Sequence, residues 1–266
     1  GIESVVVSSL QGAFNSQYNL LINVPVAVAS AMAASTIPSI AASSKRNTYD
    51  LHDKIGGVIK FNMCIAFPSA VGLSVLARPI IMLLFPSLTL YQDTVVTLMI
   101  FGTSAIIFYS LSTITTSILQ GTDHMKLPIY HAAFSLVIHI IIVVLLLLFT
   151  DLGIYALLIG NITFPLIISA LNWYAVSKHL HYTQEIIKTF LVPLLSSLIM
   201  GIIVFLTYSG LNFLIDFNLI STLCSILIGS IAYFILLALL RCFSTEELKE
   251  MPLGTKMARL LKPLLK

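Results

Sequence analysis

The side chains able to do chemistry in this sequence are few and widely spaced. His131 and His139 lie eight residues apart, which puts them roughly on one face of a helix, since two turns take about 7.2 residues. Such a pair could relay a proton, with His139 the deeper of the two. A histidine with no carboxylate beside it serves equally as a hydrogen-bonded packing residue. Asn19 and Asn23, one turn apart and followed by Pro25, could present amides to a polar substrate. The proline adds to this, because it removes a backbone hydrogen bond and leaves a carbonyl for a neighbour, water or a ligand to satisfy. Two readings stay open for this stretch: a kinked packing helix, or one that also lines a solvated path. Asn62, six residues before Pro68, repeats the pattern. Arg78, between Ala77 and Pro79, could hold a lipid phosphate or a phosphate-bearing substrate. Structural anchoring at headgroup level is the simpler reading.

Other chemistry lacks its residues. The sequence has no G-x-x-x-x-G-K-[ST] loop, no G-x-S-x-G elbow, no H-E-x-x-H and no paired carboxylates in an apolar run. Nucleotide-driven pumping and familiar hydrolysis therefore have no warrant, and neither an enzyme activity, a cofactor nor a metal is expected. Cys64, Cys224 and Cys242 sit in or at the ends of apolar runs without C-x-x-C spacing, so neither a disulfide framework nor a zinc site is expected.

The elements that must position these residues are set by composition. Of 266 residues, 58% are hydrophobic and 9% charged, against about 25% charged in a soluble domain. With a mean hydropathy of +1.01, the chain reads as an all-α polytopic membrane bundle. Apolar runs long enough to span fall near residues 17–43, 55–77, 94–119, 127–149, 153–177, 187–209 and 217–241. The short run from Ile80 to Phe85 cannot cross and reads as an interfacial segment. Small residues from Ala27 to Ser35 suit close helix packing.

Charge placement supports this count. Lys45, Arg46, Lys54, Lys126, Lys178 and Lys188 fall in alternate loops, and further basic residues follow the last span. Asp93, Asp151 and Asp216 mark the other side, with Arg78 its one cation. The positive-inside rule then puts the C-terminus in the cytoplasm. Lys60 is expected one turn into the second span, its stem snorkelling back to the interface. The net charge of +3 is dispersed through short loops rather than clustered, which points to lipid headgroups and not to nucleic acid. Ser244 and Glu247 have capping-box spacing, and the basic and apolar residues that follow read as an amphipathic tail on the anionic leaflet. The first residues carry no signal-peptide pattern, and the chain, beginning at Gly1, reads as a fragment.

Several stretches also resemble one family. They are the run from Asn19 through Pro25 to Ser39 and Ile40, Arg78 to Pro86, Leu119 to Pro128, Leu152 to Ala156, and Glu246 to Gly254. In this order they resemble polysaccharide-biosynthesis flippases related to the stage V sporulation protein B and to lipid II flippases, in the multidrug, oligosaccharidyl-lipid and polysaccharide exporter superfamily. The resemblance implies the C-terminal half of a fourteen-helix transporter. Residues 1–16 would be a remnant of a preceding helix or loop, 17–209 a six-helix lobe, 210–243 an additional helix and 244–266 a cytoplasmic tail. The other lobe would be the missing partner.

The function implied is alternating-access movement of an undecaprenyl-linked oligosaccharide or peptidoglycan precursor across the bacterial cytoplasmic membrane. Asn19, Asn23, Pro25 and Asn62 are the cavity candidates, Arg78 the phosphate or headgroup candidate and His139 the relay candidate. Two rivals remain. A drug or cation antiporter of the same superfamily would usually need an intramembrane carboxylate, which no span contains. A non-transporting scaffold for cell-wall or spore-envelope synthesis would act through the basic tail.

Overall fold

The computed structural model describes residues 8, 10–45, 47–86 and 91–243. Arg46 and the capping box and amphipathic tail expected over 244–266 lie outside the described residues. Six helices are long and apolar enough to cross a membrane, and a seventh is completed by a bent pair. No strand occurs among the described residues. The chain is an all-helical polytopic membrane bundle.

Two prolines shape α1 (Asn19–Ser44), a π-helical turn over Phe14–Tyr18 leads into it, and the whole span runs from Leu10 to Ser44. The first span therefore begins well before residue 17, because Gln11 and Asn15 are outward-facing residues of a continuous helix rather than a loop. Asn47 starts α2 (Thr48–Val75), its side-chain oxygen accepting the amide of Asp50 at 2.7 Å and so taking up an end donor. Short α3 (Ala77–Leu84) follows a one-residue break at Leu76, as its eight-residue length requires.

The third span is broken, where sequence pattern suggests one helix. It consists of α4 (Gln92–Gly102) and α5 (Ser104–Gly121), bent by 45° about Thr103. At the bend the backbone bonds change register, from Thr103 N to Met99 O to Ile106 N to Thr103 O. The Tyr18 ring lies over Gly102 so closely that a Cβ there would meet it at 2.3 Å, and the Tyr18 hydroxyl donates to the Gly102 carbonyl at 3.2 Å. A glycine is required by that approach.

Then come α6 (Lys126–Phe149), α7 (Ile154–Leu180), α8 (Val192–Ile215), entered by a π turn over Ile187–Leu191, and α9 (Asn218–Leu239). α7 ends at His181 in a left-handed conformation, and His52 of α2 donates from Nε2 to its last carbonyl, Leu180, at 2.8 Å. α5 sits against α1, α2 and α7, and α6 leans mainly on α7. The main core joins residues of α1, α2, α4, α5 and α7, including Ile22, Met63, Met99 and Ile118. α8 and α9 pack on each other and on α2 in a second cluster around Met200, Val204 and Tyr233. This second cluster also takes in Cys64 of α2 and Leu76, and α8 runs unbroken through residues 209 and 210.

Lys60 departs from its expected place. It lies twelve residues into α2, counted from Thr48, and is buried rather than snorkelling, with its ammonium 3.6 Å from Glu185. The helix starts earlier than the apolar run does, and the buried Lys60 stem carries its ammonium to an acidic partner on the α7–α8 connection.

Candidate functional site

The described residues enclose a groove of about 480 Å³ where α1, α2, α8 and α9 meet, lined by Val24, Pro25, Pro68, Met200, Tyr233 and Phe234 among others. Its walls are almost wholly apolar, with aliphatic and aromatic side chains from all four helices and only Ser69, Ser230 and the Tyr233 hydroxyl as polar side-chain groups. Pro25 lies in the wall of the groove, and its missing amide leaves the Leu21 carbonyl without its helical donor. Pro68 does the same to the Cys64 carbonyl, and there the hydroxyl of Tyr233 on α9 donates to it at 2.9 Å.

Beside the groove α1 presents an outward face. Asn23, Ala27, Ser30 and Ala34 recur every three or four residues and are all exposed, so they form one helical stripe. Ser30 donates to the Val26 carbonyl at 2.9 Å, which leaves the Asn23 amide as the main polar group of that face.

A second cavity, about 320 Å³, lies between the first span and α5, α6 and α7 and is more polar. Gln11, Asn15, Tyr109, His139 and Asn161 face it. His139 donates from Nδ1 to the Gly160 carbonyl at 3.0 Å. Asn161 donates to Asn19 at 3.5 Å, and Asn19 donates to Asn15 at 3.3 Å. Asn19 thus belongs to this polar cluster and not to the groove.

The remaining candidates stand apart. Asn62 is 1% exposed, and neither of its side-chain polar atoms has a partner among the described residues. It lines neither cavity. Arg78 is not an isolated cation, because its guanidinium meets the Asp93 carboxylate at 2.7 Å across the α3–α4 turn. His131 is held within the bundle, donating from Nδ1 to Asn172 Oδ1 at 2.7 Å while Asn172 donates to Thr116 at 2.9 Å. Outside the spans, burial, with Glu185 and Asp53 adding to it, pushes the Tyr182 phenol up from its ordinary range, so it stays a neutral donor to Gln184 at 2.6 Å.

Residues 7–224 match the model of the family described as "Lipid II flippase MurJ". The chain belongs to the MurJ family. It is 27% identical over 202 residues to the lipid II flippase MurJ of Bacillus subtilis (strain 168), a match covering 74% of this chain and 36% of that protein. Its fold is that of a solved lipid II flippase MurJ in an inward closed conformation, with a TM-score of 0.67 and 24% identity over 88% of this chain and 46% of that one. The chain thus spans about a third to a half of the length of the MurJ proteins it matches. MurJ membership, with the apolar helices, makes it a multi-pass membrane protein.

Cys64, Met200 and Tyr233, which line the MurJ-fold groove here, carry no sequence signal of their own. They come from three helices, with Cys64 more than a hundred residues from the other two, and a groove built across helices leaves no spacing to read. Pro25 and Pro68 were the only legible part of its wall.

Proposed function

We propose that this chain is the C-terminal half of a flippase that moves a lipid-linked peptidoglycan precursor across the cytoplasmic membrane by alternating access, without covalent chemistry. The observation that carries the reading is the adjacency of an apolar groove of about 480 Å³ and the exposed stripe containing Asn23 on the same helix, α1. A lipid-linked sugar is amphiphilic in this sense: its polyprenyl tail needs an apolar channel, and its pyrophosphate and sugars need shelter from about 30 Å of hydrocarbon. The stripe on α1 faces the other lobe and, with it, encloses the headgroup path. Asn23 contributes its amide to that path, and α8 with α9 form the additional helices flanking the tail groove. The alternation of Lys-bearing loops supports a cytoplasmic C-terminus in this reading.

The test is translocation of a fluorescent lipid-linked precursor by the full-length protein in liposomes. Asn23→Ala lowers the rate about tenfold, the loss of roughly one charge-assisted hydrogen bond. Leu145→Ala, on the outward face of α6, leaves it unchanged. A rate that survives Asn23→Ala removes Asn23 from the path.

A further inference from the structure

The thiols of Cys64 on α2 and Cys242 just beyond α9 meet at 3.8 Å, although 178 residues separate them. Both are buried, and neither is in a disulfide. Neither position is accidental. α9 ends in a Schellman turn, with Cys242 N bonding Leu237 O at 3.0 Å and Arg241 N bonding Ala238 O at 3.1 Å. Arg241 takes the left-handed conformation (φ 49°) that such a turn needs. That fold-back directs Cys242 inward, where its thiol donates to the Lys188 carbonyl at 3.4 Å. Lys188 lies in the π turn over Ile187–Leu191, where the amide due to its carbonyl would come from Pro193, which has none. Cys64 in turn lines the apolar groove, so a water-sized reagent entering the groove reaches one sulfur of the pair.

We propose that Cys64 and Cys242 form a redox-active dithiol, a modification site that takes a small two-electron oxidant of the peroxide class. The Cys64 sulfur attacks one peroxide oxygen, breaking the O–O bond and giving a sulfenic acid and the first water. The Cys242 sulfur then displaces the sulfenic oxygen as the second water and forms the S–S bond. Two thiols lose two protons and two electrons, and hydrogen peroxide becomes two waters. The sulfurs must close by about 1.8 Å from contact to the bonded distance of about 2.05 Å, within the reach of small side-chain and backbone adjustments. The product ties the end of α9 to the middle of α2, across one wall of the groove. A thiol reductant reverses it. The site does not depend on what the groove carries.

The experiment treats the full chain in detergent with hydrogen peroxide, then denatures it, alkylates with iodoacetamide and maps peptides by mass spectrometry. Alkylation is expected to fall from three cysteines to one, Cys224, with a peptide pair joined through Cys64 and Cys242 that dithiothreitol separates. Cys224→Ser keeps the linked pair and leaves no alkylated thiol. Cys64→Ser keeps Cys242 alkylated. Persistence of both thiols, over-oxidation of Cys64 without a linked peptide, or an intermolecular Cys224 disulfide in its place would overturn the assignment, and the Cys224→Ser protein decides it even if Cys64→Ser does not fold.

Discussion

The hydroxyl of Tyr233 on α9 donates to the carbonyl of Cys64 on α2 at 2.9 Å, and that carbonyl is the one whose helical amide partner is replaced by Pro68. A kink in one helix is thereby closed by a side chain of another. Removing the donor in a bilayer leaves a polar group with few alternatives. Tyr233→Phe is expected to cost about 1 kcal/mol, the upper range for interhelical hydrogen bonds in membrane bundles. In a Pro68→Ala background, where an amide returns to position 68, the cost should shrink to a few tenths. Thermal unfolding in detergent reads both, and equal costs in the two backgrounds would show that Tyr233 does not answer the proline.

The bend of the third span rests on the contact of Tyr18 with Gly102. Because a Cβ at Gly102 would stand 2.3 Å from the ring, Gly102→Ala must push Tyr18 aside or straighten the span. A destabilisation of about 1–3 kcal/mol is expected, the range for overpacking a filled core. In a Tyr18→Ala protein the same change should cost less. Additive melting-temperature losses would sink the idea that these two residues set the bend.

How much of this was legible in the sequence varies with the kind of interaction. The seven spans were, because hydrocarbon imposes a length and an apolarity that each run must meet alone. The break at Thr103 was not, since Gly102 and Thr103 are unremarkable within an apolar run and the bend depends on Tyr18, 84 positions away. Lys60 was misplaced for the same reason: its depth depends on Asn47 starting α2 early and on Glu185 arriving from another loop. The prolines were legible as breaks, but not what fills them. Tyr233 answers Pro68 and Cys242 answers Pro193 from α9 and its cap. His139, for which relay and packing both stayed open, donates to the Gly160 carbonyl beside a polar cavity, a contact no spacing reveals.

The pair Arg78 and Asp93 allows a choice between clip and phosphate site. Their side chains are 59% and 83% exposed, so the pair is screened by solvent and contributes no more than about 1 kcal/mol. Arg78→Gln and Asp93→Asn are expected to lower the melting temperature equally and slightly, less so at high salt, and to alter translocation by the full-length protein to the same small extent. If Arg78→Gln alone abolished translocation, the guanidinium would hold phosphate and not α3.

Asn62 carries an energetic cost that the described residues do not offset. A buried amide with neither its nitrogen nor its oxygen hydrogen-bonded forfeits about 1–3 kcal/mol relative to a paired one. Asn62→Leu, apolar and with the same number of side-chain heavy atoms, should therefore raise the unfolding free energy by about 1 kcal/mol where the neighbours admit its larger volume. Under the proposed function, a residue held at that expense points to a partner met in another state, and the same substitution should slow translocation of a lipid-linked precursor by the full-length protein. The two readouts separate the cases. Gain of stability with loss of transport places Asn62 on the substrate path, as destabilising polar groups at working sites commonly are. Gain of stability with transport intact removes it from the path, and loss of stability would mean that the amide is paired after all.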